Sequence, residues 1–383
     1  MRVAILGAGP AGLYLAYLLK RRRPETEIRV YEQNPADATF GFGVVFSDRA
    51  LEFLQADDPG TFAAISEELE SWEDITVVHR TEAIRIDGIG FAAIGRLRLL
   101  EILQQRARSV DVRPCFECPV HSLDELGEAD LVVGADGVNS LVRRTHEAEF
   151  GTSIRYGSNR FAWFGTTKRF ETLTQTFRRT EHGFFNAHHY RYAPDMSTFI
   201  VETDEDTFFR LGLDRMDPEE AKGLCEDIFA GTLDGHGLVS NKSIWRQFPH
   251  IRNARWSAGN AVLLGDALRT THFSIGSGTR LAMEDAISLA RALDAQPRDL
   301  GAALRAYESE RRPVVEKLVA AANASAAWYE RFPEHMRLAP IDFVMSYIRR
   351  SGRVDLDRLR RVSPGFVARY ERERPVHAEG AGE

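Results

Sequence analysis

The sequence predicts an α/β protein: a Rossmann-like domain with a parallel sheet, an inserted domain of mainly antiparallel β-strands, and a C-terminal helical segment. Two observations carry this prediction. Short apolar strands that run into glycine and aspartate turns recur near residues 2, 131 and 261. Between the last two, residues 153–249 change to alternating, aromatic-rich segments, which are typical of antiparallel strands.

The N-terminal segment predicts a βαβ unit with a dinucleotide-binding turn. A buried strand "RVAILGAG" precedes a helix "PAGLYLAYLLKRR" and a second strand "EIRVYEQ" that ends at Glu32. The three glycines of "GAGPAG" have the spacing that allows a tight turn, the approach of a pyrophosphate and close helix–strand packing. The helix N-terminus offers N–H groups to phosphates, and Glu32 is placed to accept from ribose hydroxyls. The residues predicted to bind the cofactor here are Gly7, Gly9, Pro10, Ala11, Gly12, Glu32 and Gln33. This pattern alone leaves NAD and FAD open.

Later strands predict where the rest of the site lies. A helix "GRLRLLEILQQRARS" begins beside Arg96, and the strands of "ADLVVGADG" and "NAVLLGDA" end near Asp136 and Asp266. Ligands of open parallel sheets bind beyond the carboxyl ends of the strands. We therefore expect Gly7, Glu32, Asp136 and Asp266 to converge on one edge of the sheet.

Composition excludes several classes of function. The 383 residues carry a formal net charge of -7, whereas a nucleic-acid-binding protein normally has a basic surface. Three cysteines give no even disulfide framework, and we expect "CFEC" at 115–118 to be structural, as suits a reducing cytoplasm. No apolar run is suited to a span of ~20 residues across a membrane. We expect a cytoplasmic monomer or homodimer without a metal, a nucleic-acid partner or a membrane partner.

Three motifs together resemble the single-component, FAD-dependent aromatic hydroxylases related to 4-hydroxybenzoate hydroxylase. They are "GAGPAG", "ADLVVGADGVNSLVR" and "VLLGDA", and the resemblance covers about residues 1–320. It implies a Rossmann-like FAD-binding domain of the GR2 type, with the ADP half of FAD at the first turn. It also implies that Arg96 lies against the pyrophosphate and Asp266 near the ribityl or diphosphate portion. Asp136 would end the strand that links the FAD and NAD(P)H contacts.

The resemblance extends to two segments near the flavin ring. "GFGVVFSDRALEFL" would pass beside the ring, with backbone contacts from Gly43 and Val44; the alternative is a loop entering a helix from Arg49. A second glycine turn leads into the helix "TRLAMEDAISLARAL", whose N-terminus would direct N–H groups at the N1–C2=O edge of the flavin. The cofactor-binding residues predicted in this turn are Gly276, Ser277 and Gly278.

Departures from the family pattern point to the substrate. Arg269 replaces a usual histidine, His272 and Phe273 replace two prolines, and Arg280 replaces an asparagine. His272 is the candidate catalytic residue, able to bond a phenol or aniline; the alternative is that it stabilises the loop. Strand periodicity places further candidates on one face of the inserted domain, although ordinary sheet packing explains each equally well. The predicted substrate-binding residues are Phe273, Trp163, His188, Tyr190 and His236, with Asn186, Tyr192 and Glu202 as further candidates.

A subgroup resemblance narrows the substrate. "DALRTTHFSIGSGTRLAMEDA", "WFGT", "AHHYRY", "MSTFIVE" and "GHGLVS" resemble the subgroup of salicylyl-CoA 5-hydroxylases and anthraniloyl-CoA monooxygenases. This implies that NADH or NADPH reduces FAD, that O2 forms a C4a-hydroperoxyflavin, and that hydroxyl is transferred to the ring. The expected substrate is a salicylyl- or 2-aminobenzoyl-CoA thioester. Alternatives are a free bulky aromatic such as tryptophan or another indole, and an FAD-dependent dehydrogenase or reductase that consumes no O2.

The expected domain boundaries lie where the strand–turn–helix pattern gives way to alternating, aromatic-rich segments, and where it resumes. Residues 1–70, 92–152 and 250–320 would form the FAD-binding domain, and 71–91 with 153–249 the substrate domain. Residues 321–374 would form the C-terminal helices and 375–383 a tail. Arginine outnumbers lysine by 44 to 5, which would suit the phosphates of CoA, although no fixed phosphate-binding motif supports this.

Overall fold

The computed structural model describes residues 1–47 and 51–373. The tail expected at 375–383, and Arg49 with the helix start considered there, lie outside these residues. The described chain forms two compact units, each assembled from three segments. The first unit contains 1–69, 93–157 and 247–323, and the second contains 70–92, 158–246 and 324–373.

The strands of the described residues are named β1 to β16 in chain order. They are β1 (Arg2–Leu6), β2 (Glu27–Tyr31), β3 (Gly43–Ser47), β4 (Glu70–Trp72), β5 (Ile75–His79), β6 (Glu82–Ile86), β7 (Phe91–Gly95), β8 (Leu131–Gly134), β9 (Thr152–Thr166), β10 (Leu173–Thr180), β11 (Gly183–Ala193), β12 (Met196–Thr203), β13 (Leu238–Ser240), β14 (Arg246–Asn253), β15 (Ser257–Ala258) and β16 (Ala261–Leu263).

The α-helices of the described residues are named in the same way. They are α1 (Pro10–Arg22), α2 (Glu52–Asp57), α3 (Pro59–Ser66), α4 (Arg96–Arg108), α5 (Leu141–Thr145), α6 (Glu147–Phe150), α7 (Glu205–Arg210), α8 (Pro218–Ile228), α9 (Ala230–Leu233), α10 (Gly265–Leu268), α11 (Gly278–Ala295), α12 (Leu300–Tyr329), α13 (Phe332–His335), α14 (Pro340–Arg349), α15 (Leu356–Val362) and α16 (Pro364–Glu373). Two short 3-10 helices cover Leu123–Leu126 and Phe273–Ile275.

The first unit is built on a five-stranded sheet with the order β15–β16–β8–β1–β2. The four strands from β16 to β2 are parallel, and β15 is antiparallel. Apart from Arg2 at the start of β1, strands β1 and β8 contain no polar side chain, as expected where helices cover both faces of a parallel sheet. Helix α1 packs against α11 and α4, and these elements share one continuous hydrophobic core.

The strand register brings the carboxyl ends of the sheet together, as the sequence predicts. Leu6 pairs with Tyr31 on one side and with Gly134 on the other, and Gly134 pairs with Leu263. The residues that follow these four strands include Gly7, Glu32, Asp136 and Asp266. One edge of the sheet therefore presents Gly7 together with the carboxylates of Glu32, Asp136 and Asp266.

The second unit contains a sheet with the order β13–β9–β12–β11–β10–β5–β6, antiparallel except for the β10–β5 pair. Helices α8 and α9 cover one face through a cluster that includes Phe199, Cys225 and Phe229. On the other face, Phe177 contacts Trp328 and Phe343 from the C-terminal helices. The C-terminal helices, which we expected to form a separate segment, thus belong to this unit.

The cysteines correct one expectation. Cys115 and Cys118 form a disulfide, whereas three cysteines had suggested no disulfide framework; Cys225 is free and buried. The three-residue spacing lies in a tight turn whose two Cα atoms are 5.7 Å apart, within the range that a disulfide requires. No helix in residues 1–47 and 51–373 is long and apolar enough to cross a membrane. The same residues contain no group of three or more His, Cys, Asp and Glu suited to a metal ion.

Candidate active site

The first glycine turn lies between β1 and α1 in the first unit. Gly7 has a φ of 97°, and a Cβ there would lie 2.3 Å from the carbonyl oxygen of Ala135. A Cβ on Gly12 would lie 2.0 Å from the carbonyl oxygen of Gly7. Only glycine permits both approaches. A Cβ on Gly9 would meet nothing within 4 Å, so the turn is open at the position where a pyrophosphate should approach.

Glu32 is fixed beside this turn by three hydrogen bonds. The backbone N–H of Ala8 donates to Oε2 at 2.9 Å, and the backbone and side-chain amides of Asn34 donate to Oε1 at 2.9 and 2.7 Å. The carboxylate is half-buried, whereas the neighbouring Gln33 is exposed. A carboxylate accepts at several lone pairs, so Glu32 retains capacity for the hydroxyl donors of a ribose.

Asp136 has a structural contact as well as its predicted place at the sheet edge. Its Oδ2 accepts from the backbone N–H of Leu141 at 2.6 Å and of Val142 at 3.4 Å, at the start of α5. Burial raises the pKa of Asp136, and hydrogen bonds from Ser140 and the backbone oppose this. Asp136 therefore orders the segment that follows β8, and its role toward a cofactor stays a prediction.

Asp266 and Arg96 share an electrostatic environment although they lie far apart in sequence. Asp266 lies in α10. Its side chain is accessible to solvent, but protein atoms surround the carboxylate closely, as they would around a group that lines a recess. This crowding raises the pKa of Asp266, while the positive charges of Arg96 and Arg269 lower it. Arg96 is the first residue of α4, and its backbone N–H donates to the carbonyl oxygen of Phe42 at 2.7 Å.

The second glycine turn connects a 3-10 helix to α11. Gly276 has a φ of 60°, and a Cβ there would lie 2.8 Å from Cγ1 of Val45 on β3. The segment containing Gly43 and Val44 is thus next to this turn. The Oγ of Ser277 is buried and has no hydrogen-bond partner in the part of the chain that the structure describes. An orphaned hydroxyl at the N-terminus of an 18-residue helix suits a polar ligand atom.

His272 is buried and caps the 3-10 helix that precedes this turn. Its Nδ1 accepts from the backbone N–H of Ser274 at 3.4 Å and lies 2.8 Å from the Ser274 hydroxyl. Its ring stacks on Phe273, with centroids 4.4 Å apart, and meets Phe248 edge-on at 4.7 Å. Because Nδ1 accepts, the neutral ring carries its proton on Nε2. His272 stabilises the loop, and a role toward substrate would use Nε2–H as a donor.

A buried ion network explains the two arginines that depart from the family pattern. Nη1 of Arg269 is 2.7 Å from Oδ2 of Asp285, whose Oδ1 accepts from Arg311 at 3.1 Å. Glu284 accepts from both Arg311 and Arg280, at 2.8 and 2.7 Å. This network was not predicted from the sequence. The two adjacent acids of "MEDA" and the two adjacent arginines of "ERRP" are the sequence signal that could have indicated it.

The predicted substrate residues of the second unit occupy different environments. His188 is 4% exposed, and its Nε2 lies 3.4 Å from Oε2 of Glu202. The other carboxylate oxygen of Glu202, Oε1, accepts from Nδ2 of Asn159 at 2.8 Å. Burial, followed by the charge of Arg350, lowers the pKa of His188 to about 3, so the ring is neutral. Tyr190 is buried, and the centroid of its ring lies 6.2 Å from that of Trp72.

Two other predicted substrate residues lie nearer the surface. Trp163 is half-buried, and Ser243 donates to its carbonyl oxygen at 2.5 Å. His236 is exposed, with Nδ1 2.8 Å from the Thr167 hydroxyl. His188 thus belongs to a buried polar network and His236 to an exposed turn. The substrate roles of all these residues stay predictions.

The donor set of the first unit fits FAD. The open face at Gly9 and the fixed carboxylate of Glu32 suit an ADP moiety, and the accessible Asp266 and the orphaned Ser277 hydroxyl suit its polar remainder. When bound, FAD supplies redox chemistry with NAD(P)H and O2 that no amino-acid side chain provides. The two backbone turns would orient this cofactor, and the positive end of the α11 dipole lies at the second turn.

Comparison with known proteins defines the class. Residues 120–322, more than half of the chain, match the family model described as FAD binding domain. The chain belongs to this family of FAD-dependent aromatic-ring monooxygenases, which use NAD(P)H and O2 as co-substrates. It acts as a hydroxylase of an activated aromatic ring.

Individual relatives refine this result. The chain is 45% identical to salicyloyl-CoA 5-hydroxylase of Streptomyces sp, over 92% of this chain and 70% of that protein. It is 38% identical to 3-hydroxy-4-methyl-anthranilyl-[aryl-carrier protein] 5-monooxygenase of Streptosporangium sibiricum, over 87% and 90%. Protodeoxyviolaceinate monooxygenase of Chromobacterium violaceum is 35% identical over 91% and 94%. The fold matches that of 2-methyl-3-hydroxypyridine-5-carboxylic acid oxygenase with a TM-score of 0.71 at 16% identity, over 96% and 98%.

Proposed function

We propose that this enzyme hydroxylates an aromatic ring carried as a CoA thioester, with salicylyl-CoA as substrate and position 5 as target. The observation that carries the proposal is the 45% identity, over 92% of the chain, to a protein named salicyloyl-CoA 5-hydroxylase. Position 5 is para to the ring hydroxyl, which donates electron density there. 2-Aminobenzoyl-CoA offers the same activation through its amino group. We further propose that the enzyme is a cytoplasmic monomer or homodimer.

The roles proposed for individual residues follow from their contacts. Glu32 and the first glycine turn bind the ADP half of FAD, while Arg96 and Asp266 contact its diphosphate and ribityl portion. The N–H groups at the start of α11 stabilise negative charge at the N1–C2=O edge of the flavin. His272 donates from Nε2 to the ring hydroxyl oxygen, and Phe273 packs against the ring.

A second candidate substrate has its own support. The relatives at 38% and 35% identity are named for an aryl-carrier-protein substrate and for protodeoxyviolaceinate. A ring tethered to a carrier protein, or a free indole, would meet the same flavin chemistry. The thioester carrier is therefore the part of the proposal that most needs a direct test.

The test is substrate-stimulated turnover by the purified yellow holoenzyme. Salicylyl-CoA should accelerate NAD(P)H oxidation and O2 uptake far more than free salicylate or tryptophan, and mass spectrometry should find one added oxygen in the thioester. Equal stimulation by the free acid would contradict the thioester proposal. NAD(P)H oxidation supported by another acceptor, without O2 uptake, would instead identify a reductase.

A further inference from the structure

A cavity of about 710 Å³ lies within the second unit. Three separate segments form it: the end of β5 with the turn that follows it, the end of β10 with the start of β11, and α13 with the residues just after it. Arg80 comes from the first segment, Arg178 and Arg179 from the second, and Arg337 from the third. We call this cavity the arginine cleft.

The charge of the arginine cleft is uncompensated. Four arginines and no aspartate or glutamate line it. The guanidinium of Arg178 donates to the Thr232 hydroxyl of α9 at 3.4 Å, on the opposite face of the sheet, which leaves the guanidinium groups of Arg80, Arg179 and Arg337. Within residues 1–47 and 51–373, none of the four arginines forms an ion pair, whereas Arg191 of the same unit pairs with Glu70 at 2.7 Å. Like charges that converge without a counter-ion repel each other, so the cleft favours an anionic ligand.

Backbone and ring contacts position these arginines. Arg80 has a φ of 57°, and its Nη2 donates to the carbonyl oxygen of Arg337 at 3.1 Å. Arg179 lies over the ring of Phe184, with its guanidinium 5.8 Å from the centroid. The guanidinium of Arg178, by contrast, is directed to α9, where its Nη2 donates to the Thr232 hydroxyl at 3.4 Å. Among the described residues, the guanidinium groups of Arg179 and Arg337 donate to no protein acceptor, so the cleft offers these donors to a ligand.

Apart from His79 and Thr81, the rest of the lining is apolar and includes aromatic rings. Phe177 and Met336 are buried, while Phe184 and Pro333 are half-buried. Guanidinium forks bind phosphates through paired hydrogen bonds, and aromatic faces stack on nucleobases. The volume lies in the range of about 300–1,000 Å³ that small-molecule sites occupy. A protein partner would instead need a contact surface of about 800 Å² on each side.

We propose that the arginine cleft binds the 3′-phosphorylated ADP end of the CoA thioester. This inference rests on the proposed function, because it assigns the site for the part of that substrate farthest from the reacting ring. Three phosphate groups and one adenine match the guanidinium groups of Arg80, Arg179 and Arg337 and an apolar floor. The cleft would thus select a CoA ester over the same acyl group on a shorter carrier.

The experiment compares salicylyl-CoA with salicylyl-pantetheine, which lacks the nucleotide, in wild-type holoenzyme and in the double variant Arg179→Ala/Arg337→Ala. Both replaced side chains are exposed, so the fold should survive. We expect wild type to show a lower KM for the CoA ester, and the double variant to lose this preference by about tenfold per arginine. The control is Arg215→Ala, an exposed arginine of the same unit outside the cleft.

A direct binding measurement complements the kinetics. Adenosine 3′,5′-bisphosphate should bind the wild-type holoenzyme in calorimetry and bind the double variant at least about tenfold more weakly. Hydroxylation of both esters with equal KM, and no effect of the double variant, would overturn the cleft assignment and leave the proposed function standing. Failure of wild type to hydroxylate either ester would overturn the proposed function itself. If the double variant lost activity only toward a ring bound to a carrier protein, the cleft would bind an acidic protein surface, and the nucleotide proposal would be overturned.

Discussion

The turn at residues 7–12 and the turn at residues 276–278 both contain a glycine with positive φ, yet different forces shape them. Around the first turn, the neighbours of Gly7 and Gly12 are backbone atoms of Ala135 and Gly7 itself. Near the second turn, side chains dominate: His272 caps the preceding 3-10 helix, and Arg269 pairs with Asp285 of α11. A backbone-defined turn leaves a glycine signature in sequence, whereas a turn supported by side chains can change its residues if the whole network changes.

The largest effect should come from closing the first turn with one methyl group. Gly12→Ala would place a Cβ 2.0 Å from the Gly7 carbonyl oxygen, so backbone must move. Such overpacking costs at least about 3 kcal/mol, and we expect a protein that unfolds at much lower temperature and retains no flavin. Thermal unfolding and flavin absorbance measure both effects.

The control for this variant is Gly223→Ala in α8, where a Cβ meets nothing within 4 Å. Alanine is a better helix former than glycine, so this change should stabilise slightly, by about 0.5–1 kcal/mol. If Gly12→Ala retained wild-type stability and flavin, the backbone account of the first turn would be wrong.

An intermediate effect should come from the ion network near the second turn. Arg269→Ala removes one partner of Asp285, which is fully buried. Leaving a buried charge without any partner costs about 3–5 kcal/mol, and we expect a smaller loss here because Asp285 keeps its bond to Arg311. Chemical denaturation should detect this loss, and flavin retention should fall with it as α11 loses an anchor.

Arg360→Ala is the matched control, since Arg360 forms exposed ion pairs with Asp357 and Glu371. Exposed pairs contribute about 0–1 kcal/mol. Equal destabilisation by the two variants would show that the Arg269 network adds nothing beyond a surface ion pair.

The smallest effect should come from His272. Since its Nδ1 accepts from the backbone, we expect Nε2–H to donate one neutral hydrogen bond, worth about 0.5–1.5 kcal/mol, or roughly two- to tenfold in rate. His272→Ala should lower the yield of hydroxylated product per NAD(P)H by this factor while flavin reduction continues. Stopped-flow reduction and product analysis separate the two steps.

His272→Asn tests the capping role separately, because asparagine also caps helix N-termini. It should restore loop stability but not the hydrogen bond to substrate. A loss of about 100-fold or more in both variants would indicate proton transfer by His272 and contradict the donor assignment.

The sequence predicts much of the first unit because its elements obey local rules. The order strand, glycine turn, helix, strand and acid predicts β1, α1, β2 and Glu32, and parallel pairing then aligns Asp136 and Asp266 with them. The Arg269–Asp285 pair could not be predicted in this way, because an ion pair between the residue after α10 and a residue within α11 follows no local period. The arginine cleft could not be predicted from the sequence either, since its four arginines come from three segments that only the fold brings together.

The interleaving of the chain has a consequence for how the protein is made. The sheet of the first unit needs β16, at residues 261–263, to pair beside β8, yet β1 and its glycine turn leave the ribosome first. A ribosome adds about 5–20 residues per second, so the early turn waits for tens of seconds for its distant partner. During this interval the nascent chain exposes the parallel edge of β8. We expect a chaperone that covers this edge during synthesis to raise the yield of enzyme more than added flavin, because the proposed flavin site is completed only when α11 emerges.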